Sequence, residues 1–506
     1  MRVLIWHGWL LEGSGSNVNT ARVAEALREA GHDVVLLCQE QHVGRYPWID
    51  GWGTVDRHGP SPTTPTGAEP AAGRCVLLRP RIGRLLPVFV IDDYAGFAVK
   101  RFVDLTDDEL GAYLERNAEA LRAAMLWHGS EAVIAGHAIP GGPVAARALE
   151  PRRFMVKIHG SDIEYAIREQ ERYRRLARDG LVAARAVSGP SADALDRLVA
   201  LVPEVASLVR IIRPGVDTNA FRPMPRREAL LDVAERLERD PDTARGKPAS
   251  ADRAIEEAVA ERDRRAIEEL AATYDHDVPD PTAASRLREL AHVDGPIVGY
   301  FGKLIPQKGV ELALAGAHLS ASAPRVLVVG FGSYREHLVA LSIALRNRDV
   351  EAVEWLRRTI DMPIDLSPDE VRGGGGERVT FTGRLDHRYA PAVLAAMDVL
   401  VVPSILLEAF GMVSAEGAAA GALPLVARHS GLAEVAAALE EVVGRPELFS
   451  FEPGDGAVRR VAEGIDRLLR LDPTERARIR DGVHAFVAGN WSWRTMAERL
   501  LEAATT

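Results

Sequence analysis

Apolar and polar positions alternate along this chain with two different periods. In the first half, short apolar runs predict strands at Val3–Trp6, Asp33–Leu37, Val88–Ile91, Ala132–Ala135, Phe154–Ile158 and Ala186–Ser188. Between the first two, Asn17–Ala30 repeats its apolar residues at helical spacing and stops at Gly31-His32. A buried run, an amphipathic helix and a second buried run make the repeating unit of a doubly wound parallel sheet. The Pro/Thr/Gly-rich stretch 60–73 reads as a surface loop, and Arg210–Asp217 as a last strand leaving a first domain.

The pattern changes at about residue 226. From there to Val293 the chain is dense in Arg, Glu and Ala, with helical spacing and no strand signal, which fits a helical insertion or a partly disordered linker. Strand-like runs then resume at Ile297–Phe301, Arg325–Val329, Val379–Thr382 and Val399–Val402, with a helix at Gly309–His318. Residues 334–377 read as a second insertion, helical at first and closing on Gly373–Gly376. Three helices, Arg459–Leu471, Glu475–Gly489 and Thr495–Ala503, end the chain. The expected fold class is α/β, with two Rossmann-like domains facing a central cleft and carrying helical insertions.

Composition narrows the function. A length of 506 residues exceeds what one hydrophobic core organises, so two or more domains are expected. With 47% apolar and 26% charged residues the chain reads as globular, and its net charge of −10 argues against a nucleic-acid groove. Two cysteines, Cys38 and Cys75, are too few for a disulfide framework and suit a reducing compartment. No apolar run reaches the length of a membrane span, and Met1–Trp6 is too short for a signal peptide, so a cytoplasmic enzyme is expected. No Cys/His set has metal-ligand spacing, and no metal or cofactor is expected.

The chemistry gathers around Glu408-Ala-Phe-Gly-Met-Val-Ser-Ala-Glu416, which follows the buried-looking run Asp398–Ser404 and opens an alanine-rich helix ending near Gly421–Pro424. Glu408 is expected on the loop at a strand's carboxyl end, and Glu416 about 12 Å further along the helix. The N–H groups of Phe410, Gly411, Met412 and Val413 would then form an anion-attracting helix start between two carboxylates. Taken alone, two acids at this spacing are equally well solvated surface residues. Gly302-Lys303 through Lys308-Gly309 adds a strand that delivers a glycine and two lysines, suited to a diphosphate. Val329-Gly330-Phe-Gly332 and Phe381-Thr-Gly383-Arg384-Leu385 repeat the strand-then-glycine pattern, and the backbone at Arg384 and Leu385 suits a flat base. In the first half, Gly13-Ser-Gly15-Ser16-Asn17 opens a helix without the third glycine of a dinucleotide fingerprint. Lys157-Ile-His159-Gly-Ser-Asp162 ends a strand with a histidine and an acid together.

In this order these motifs, with Arg213–Asp217, Pro403-Ser404 and Trp491-Ser-Trp493, resemble the retaining nucleotide-sugar glycosyltransferases of family 4, which have the GT-B fold. The resemblance implies a first domain over residues 1–215, rejoined by a returning helix at about 491–506. It implies a donor-binding second domain over 216–490, with insertions at about 226–294 and 334–377. It assigns Glu408 to hydroxyls of the donor sugar, with the N–H groups of Phe410 and Gly411, and Glu416 to the ribose. Lys303, Lys308, Gly302 and the backbone of Met412, Val413, Gly15 and Ser16 would hold the diphosphate. Arg384 and Leu385 would contact the base, and His159 would stand beside the transferred sugar. Asn17, Tyr94 and Asp162, with Asp92, Asp93 and His137, are candidates for the acceptor side. Lys303 stands where the family usually has arginine, and Ser430-Gly431 replaces a usual glycine pair.

The implied reaction moves a hexose-type sugar from a nucleoside diphosphate, a uridine diphosphate sugar being favoured, to an acceptor hydroxyl with retention and without a metal. A sugar-nucleotide epimerase, a phosphorylase of the same architecture and a non-catalytic nucleotide-sugar sensor are the alternatives. Oligomeric state leaves no trace in the chain.

Overall fold

The computed structural model describes residues 1–90, 94, 96–240, 243, 250–272, 279–375 and 378–506. Ile91, Asp92 and Asp93, parts of the first insertion, and Gly376 and Glu377 lie outside the described residues. The chain divides into two compact units, Met1–Gly215 with Trp491–Thr506, and Val216–Asn490.

The first unit is built on one long sheet. From edge to edge its strands are Val209–Ile211, Val187–Gly189, Met155–Lys157, Ala132–Gly136, Arg2–Trp6, Asp33–Leu37, Arg74–Pro80, Gly51–Asp56 and Gly59–Pro60. All neighbours are parallel except the last pair, and Thr64–Pro65 adds an antiparallel bridge to Gly51–Asp56. Both faces are covered, as parallel sheets require. One face packs Leu4, Trp6, Phe102, Phe154 and Tyr173; the other packs Val3, Ile5, Leu27 and Ile134 against Met496 and Leu500 of the helix Trp493–Thr505. That helix is admitted by Gly215, where an added Cβ would lie 2.4 Å from the Trp493 nitrogen. The longest helix of this unit, Asp107–His128, starts on a Thr106/Glu109 capping box and stops at left-handed Gly129.

The second unit holds a six-stranded, wholly parallel sheet. Its order is Val379–Phe381, Arg325–Val329, Ile297–Phe301, Val399–Val402, Leu423–Ala427, Ser450–Phe451, which is strand order 3-2-1-4-5-6. The direction of winding therefore reverses between Ile297–Phe301 and Val399–Val402, the place where doubly wound sheets collect ligands. The first insertion is helical where described, with helices Arg226–Glu238, Ser250–Glu261, Arg264–Ala272 and Ala283–Ala291. The second forms Arg335–Arg346, Val350–Ile360 and Pro368–Gly373. Among the described residues no helix is long and apolar enough to cross a membrane.

Several expectations need correction. The run at Val88–Ile91 is not a strand of the main sheet: the strand is Leu85–Val88, paired with Ala98–Arg101 in a separate sheet. The run stays apolar past the strand because Phe89 turns in against Trp9 and Phe102. Gly51–Asp56 escapes a hydrophobic pattern because Gly51 and Gly53 have no side chains, their Cβ positions standing 3.3 Å from the Thr64 carbonyl and 3.0 Å from Ser61 Oγ. Stretch 60–73 is correspondingly not all loop. Leu423–Ala427 is a strand despite Pro424, a residue that reads as a breaker. Of Arg210–Asp217 only Arg210 and Ile211 belong to a strand, Val209–Ile211.

Candidate functional site

In the second unit, the loops leaving the first three strands of the winding order are laced together by glycines. Gly302 donates its N–H to the Val329 carbonyl at 3.0 Å, and Gly330 donates to the Gly383 carbonyl at 3.0 Å. A side chain at position 330 is impossible without rearrangement, since its Cβ would lie 1.9 Å from the Gly302 oxygen. The packing brings two cations to Phe331, with Lys303 Nζ 5.7 Å and the Arg384 guanidinium 5.2 Å from its ring centre. Leu385 is buried.

Across the reversal point, the turn Pro306–Lys308 meets the loop after Val399–Val402. Gly309 is left-handed with φ 63°, and its missing Cβ would otherwise lie 2.3 Å from the Pro403 carbonyl. Ile405 and Leu406 donate to the Gln307 carbonyl at 2.9 and 3.0 Å. This closeness brings Lys308 Nζ into an ion pair with Glu408 Oε1, both side chains about four-fifths enclosed. The next glycine, Gly411 with φ 85°, caps the helix Met412–Ala420. It supplies no side-chain acceptor, so no cap side chain takes the first-turn donors at Met412 and Val413. Phe410 is buried beneath this start.

The helix thus begins at Met412, and Glu416 lies a little over one turn inside it, about 6 Å from its start. Glu408–Gly411 is loop, because a left-handed glycine cannot continue a helix. Glu408 and Glu416 are therefore not two points along one helical rod. Glu416 is buried and accepts from His387 Nε2 at 3.1 Å; that ring lies 5.4 Å from Phe221. His387 and Phe331 were not read as functional from sequence; the glycines on either side of Phe331 were the available signal. A third residue, Glu311, lies buried in the first turn of the helix Val310–Leu319, where burial pushes its carboxyl up to about 7.

The first unit has its own cluster at the carboxyl edge of its sheet. His7 follows Arg2–Trp6, His137 follows Ala132–Gly136, and His159 follows Met155–Lys157. Their rings form a chain, 5.8 Å from His7 to His137 and 4.4 Å from His137 to His159. Burial holds all three below the ordinary imidazole range, His7 at about 4, and brings the Lys157 ammonium down to about 7. Lys157 donates to Asn19 Oδ1. His159 is half-buried as a residue, but its Nε2 is enclosed and has no hydrogen-bond partner. Asp162 is fully buried and accepts from the N–H groups of Ala138 at 2.6 Å, Gly160 at 2.9 Å and His159 at 3.3 Å, so it clamps two strand-end loops together.

Asn17 is likewise buried and occupied, facing His7 Nε2 at 2.9 Å and donating to the Glu12 carbonyl at 2.6 Å. The helix there runs Gly15–Glu29, starting two residues before the expected Asn17 because Ser14 caps it, accepting from the Asn17 N–H. Gly15 is exposed and Ser16 half-buried, with Ser16 Oγ 3.0 Å from Ser14 Oγ. Tyr94 is half-buried, its carbonyl accepting from Phe97. His7 and Lys157 are members of this cluster that sequence reasoning did not assign a role. Among the described residues, no group of three or more His, Cys, Asp or Glu side chains is placed to hold a metal ion.

Residues 373–502 match the family model for glycosyl transferases group 1. Over 238 residues the chain is 27% identical to a GDP-mannose-dependent monoacylated alpha-(1-6)-phosphatidylinositol monomannoside mannosyltransferase of Corynebacterium glutamicum, covering 44% of this chain and 50% of that protein. It is 28% identical over 210 residues to a 2-deoxystreptamine glucosyltransferase of Streptomyces kanamyceticus, covering 40% of this chain and 44% of that protein. The chain thus spans about half the length of the curated relatives it matches. Among solved structures, Anabaena HepE in complex with UDP and glucose aligns over 100% of both chains with TM-score 0.56 and 14% identity. Sucrose-phosphate synthase from Thermosynechococcus elongatus aligns over 99% of this chain and 97% of that one, with TM-score 0.54 and 18% identity. The match to group 1 glycosyl transferases thus covers residues 373–502, on a chain whose fold is that of the GT-B glycosyltransferases.

Proposed function

We propose that this protein is a retaining glycosyltransferase of the family 4 type, moving a hexose from a nucleoside-diphosphate donor to an acceptor hydroxyl. The observation that carries the reading is the pairing of Lys308 with Glu408 across the reversal point of the second sheet, beside an open helix start. An anion that lands there meets Lys308, Lys303 and the first-turn N–H groups of Met412–Ala420, while Glu408 becomes available to accept from sugar hydroxyls. Glu416, anchored by His387, takes the ribose hydroxyls, and the backbone at Arg384 and Leu385 takes the base.

Bond breaking at the anomeric carbon leaves negative charge on the diphosphate, and Lys303, Lys308 and the helix start stabilise that charge. The departing phosphate oxygen accepts the proton of the attacking hydroxyl on the same face, which preserves configuration without a protein nucleophile or a metal. His159 is assigned to charge stabilisation near the anomeric carbon, and its neutral state fits a hydrogen-bonding rather than a charged role. Donors named for similar proteins include GDP-mannose and UDP-glucose. A thermal-shift comparison of UDP, GDP and ADP, followed by a product assay with the matching sugar nucleotide, tests the reading. One diphosphate should raise the unfolding temperature by several degrees, equivalent to ~2–3 kcal/mol at saturation. Indifference to all three would overturn it.

A further inference from the structure

The second unit carries another polar hollow, at the opposite ends of its strands. Gly295 and Pro296 precede Ile297–Phe301, and Asp398 precedes Val399–Val402, so this is the amino-terminal edge of the sheet. A cavity of about 490 Å³ opens there, lined by Arg226, Pro296, Ser322, Asp398, Leu469 and Arg476. Its volume suits a small organic ligand.

Three guanidinium groups converge on the one buried carboxylate of Asp398. Arg226 Nη2 is ion-paired with Oδ2; Arg480 Nη2 lies 3.3 Å and Arg476 Nη1 4.0 Å from Oδ1. Asp398 Oδ2 also accepts from the Ile297 N–H at 2.9 Å. One negative charge thus answers three fixed positive ones. The Nε atoms of Arg476 and Arg480 are buried without a hydrogen-bond partner. Of the nearby acids, Asp466 is already held by Ser320, Ser322, the Ala321 N–H and Arg470. Arg226 is moreover the first residue of the helix Arg226–Glu238, whose cap Pro225 offers no side-chain acceptor and whose first turn holds the exposed Glu228.

We propose that this hollow binds a small phosphate-bearing anion, at a site separate from Lys303 and Lys308. Guanidinium groups match phosphate oxygens in pairs, and the space beyond Arg226 and Arg476 admits a moiety of about sugar size. Asp398 keeps the arginines oriented while leaving the group cationic enough to hold an anion.

Calorimetric titration with ribose 5-phosphate tests it, comparing the natural protein with Arg226→Gln, Arg476→Gln and Lys308→Ala. Saturable binding is expected in the natural protein and in Lys308→Ala, weakened at least about tenfold in each arginine variant. Arg476→Lys, which keeps the charge and loses the fork, serves if a glutamine variant does not fold, and should also bind more weakly. No saturation by ~10 mM in the natural protein, equal affinity in all arginine variants, or loss confined to Lys308→Ala would each overturn the assignment.

Discussion

Lys308 and Glu408, 100 positions apart in the chain, are joined in an ion pair by the reversal of strand order in the second sheet. The pair depends on two backbone approaches, Gly309 against Pro403 and Gln307 against Ile405 and Leu406. Both side chains are partly solvated, so the pair contributes only about 1 kcal/mol to stability. Its larger consequence is chemical. Lys308→Ala is expected to cut kcat for sugar transfer by about two orders of magnitude or more, the size of a lost charge-stabilising donor. The unfolding temperature should move by only a few degrees. Transfer rates equal to those of the natural protein would remove Lys308 from the reaction.

Glu416 invites a different split. Its carboxylate is buried and bonded to His387 at 3.1 Å, on a rigid helix rather than a loop. A ribose-binding role touches substrate far from the bond that breaks, so it affects ground state and transition state alike. Glu416→Ala should therefore raise the donor KM by about tenfold with a small change in kcat, as for loss of a hydrogen bond to a charged group. His387→Ala should weaken the donor less, because it removes the anchor and leaves the acceptor. Steady-state kinetics with varied donor separates these outcomes; a fall in kcat alone would place Glu416 elsewhere.

Much of this site was legible because glycine, lysine and glutamate mark strand ends at recognisable spacings. Gly302-Lys303, Lys308-Gly309 and Glu408–Glu416 stand in chain order, and parallel strands bring their ends to one edge. What the chain concealed were contacts made in the third dimension by residues with ordinary sequence signatures. His387 stands just past the Phe381–Leu385 motif, but its partner Glu416 is 29 positions away. Lys157 sits inside a quoted motif, but its hydrogen-bond partner Asn19 lies 138 positions away. Residue spacing puts Gly411 among the helical donors after Glu408, whereas its positive φ ends the loop and begins the helix one residue later. Leu423–Ala427 was hidden by Pro424, which a parallel strand tolerates at this register opposite Leu400.

The three-histidine edge of the first unit gives that unit a pH dependence of known sign. His7 titrates at about 4 in the folded chain against 6.5 when free, so the unfolded chain binds the extra proton as pH falls between those values. Stability from His7 is complete above about pH 6.5 and is lost toward pH 4, by at most about 3 kcal/mol. His137 and His159 are displaced in the same direction. Lys157, brought from 10.5 to about 7, extends the trend, so stability should keep rising from pH 7 toward pH 10. Unfolding temperatures measured from pH 5 to pH 9 should climb, and His7→Gln should flatten the acid limb. A flat acid limb in the natural protein would show the histidines to be solvated.

The first insertion is tied to the second through a buried ion pair, and to the loop after Val379–Phe381 through backbone contacts. Asp280 and Arg335, each almost wholly enclosed, meet at 2.7 Å, and Arg335 lies over the Phe381 ring at 5.5 Å. Asp280 also donates its N–H to the Thr382 carbonyl at 3.0 Å, and Pro279 bridges Gly383, whose φ of 67° leaves no room for a side chain beside Asp280. Removing the carboxylate leaves a buried guanidinium short of its closest partner, a loss of about 3 kcal/mol. Asp280→Ala should accordingly lower the denaturant midpoint. It should also loosen Gly383–Leu385 and raise the donor KM, while Asp280→Asn, which keeps one side-chain acceptor for Arg335, should do less of both. Denaturant unfolding read beside donor kinetics decides the matter: a destabilised Asp280→Ala with an unchanged donor KM would confine the tie to folding and free the loop from the insertion.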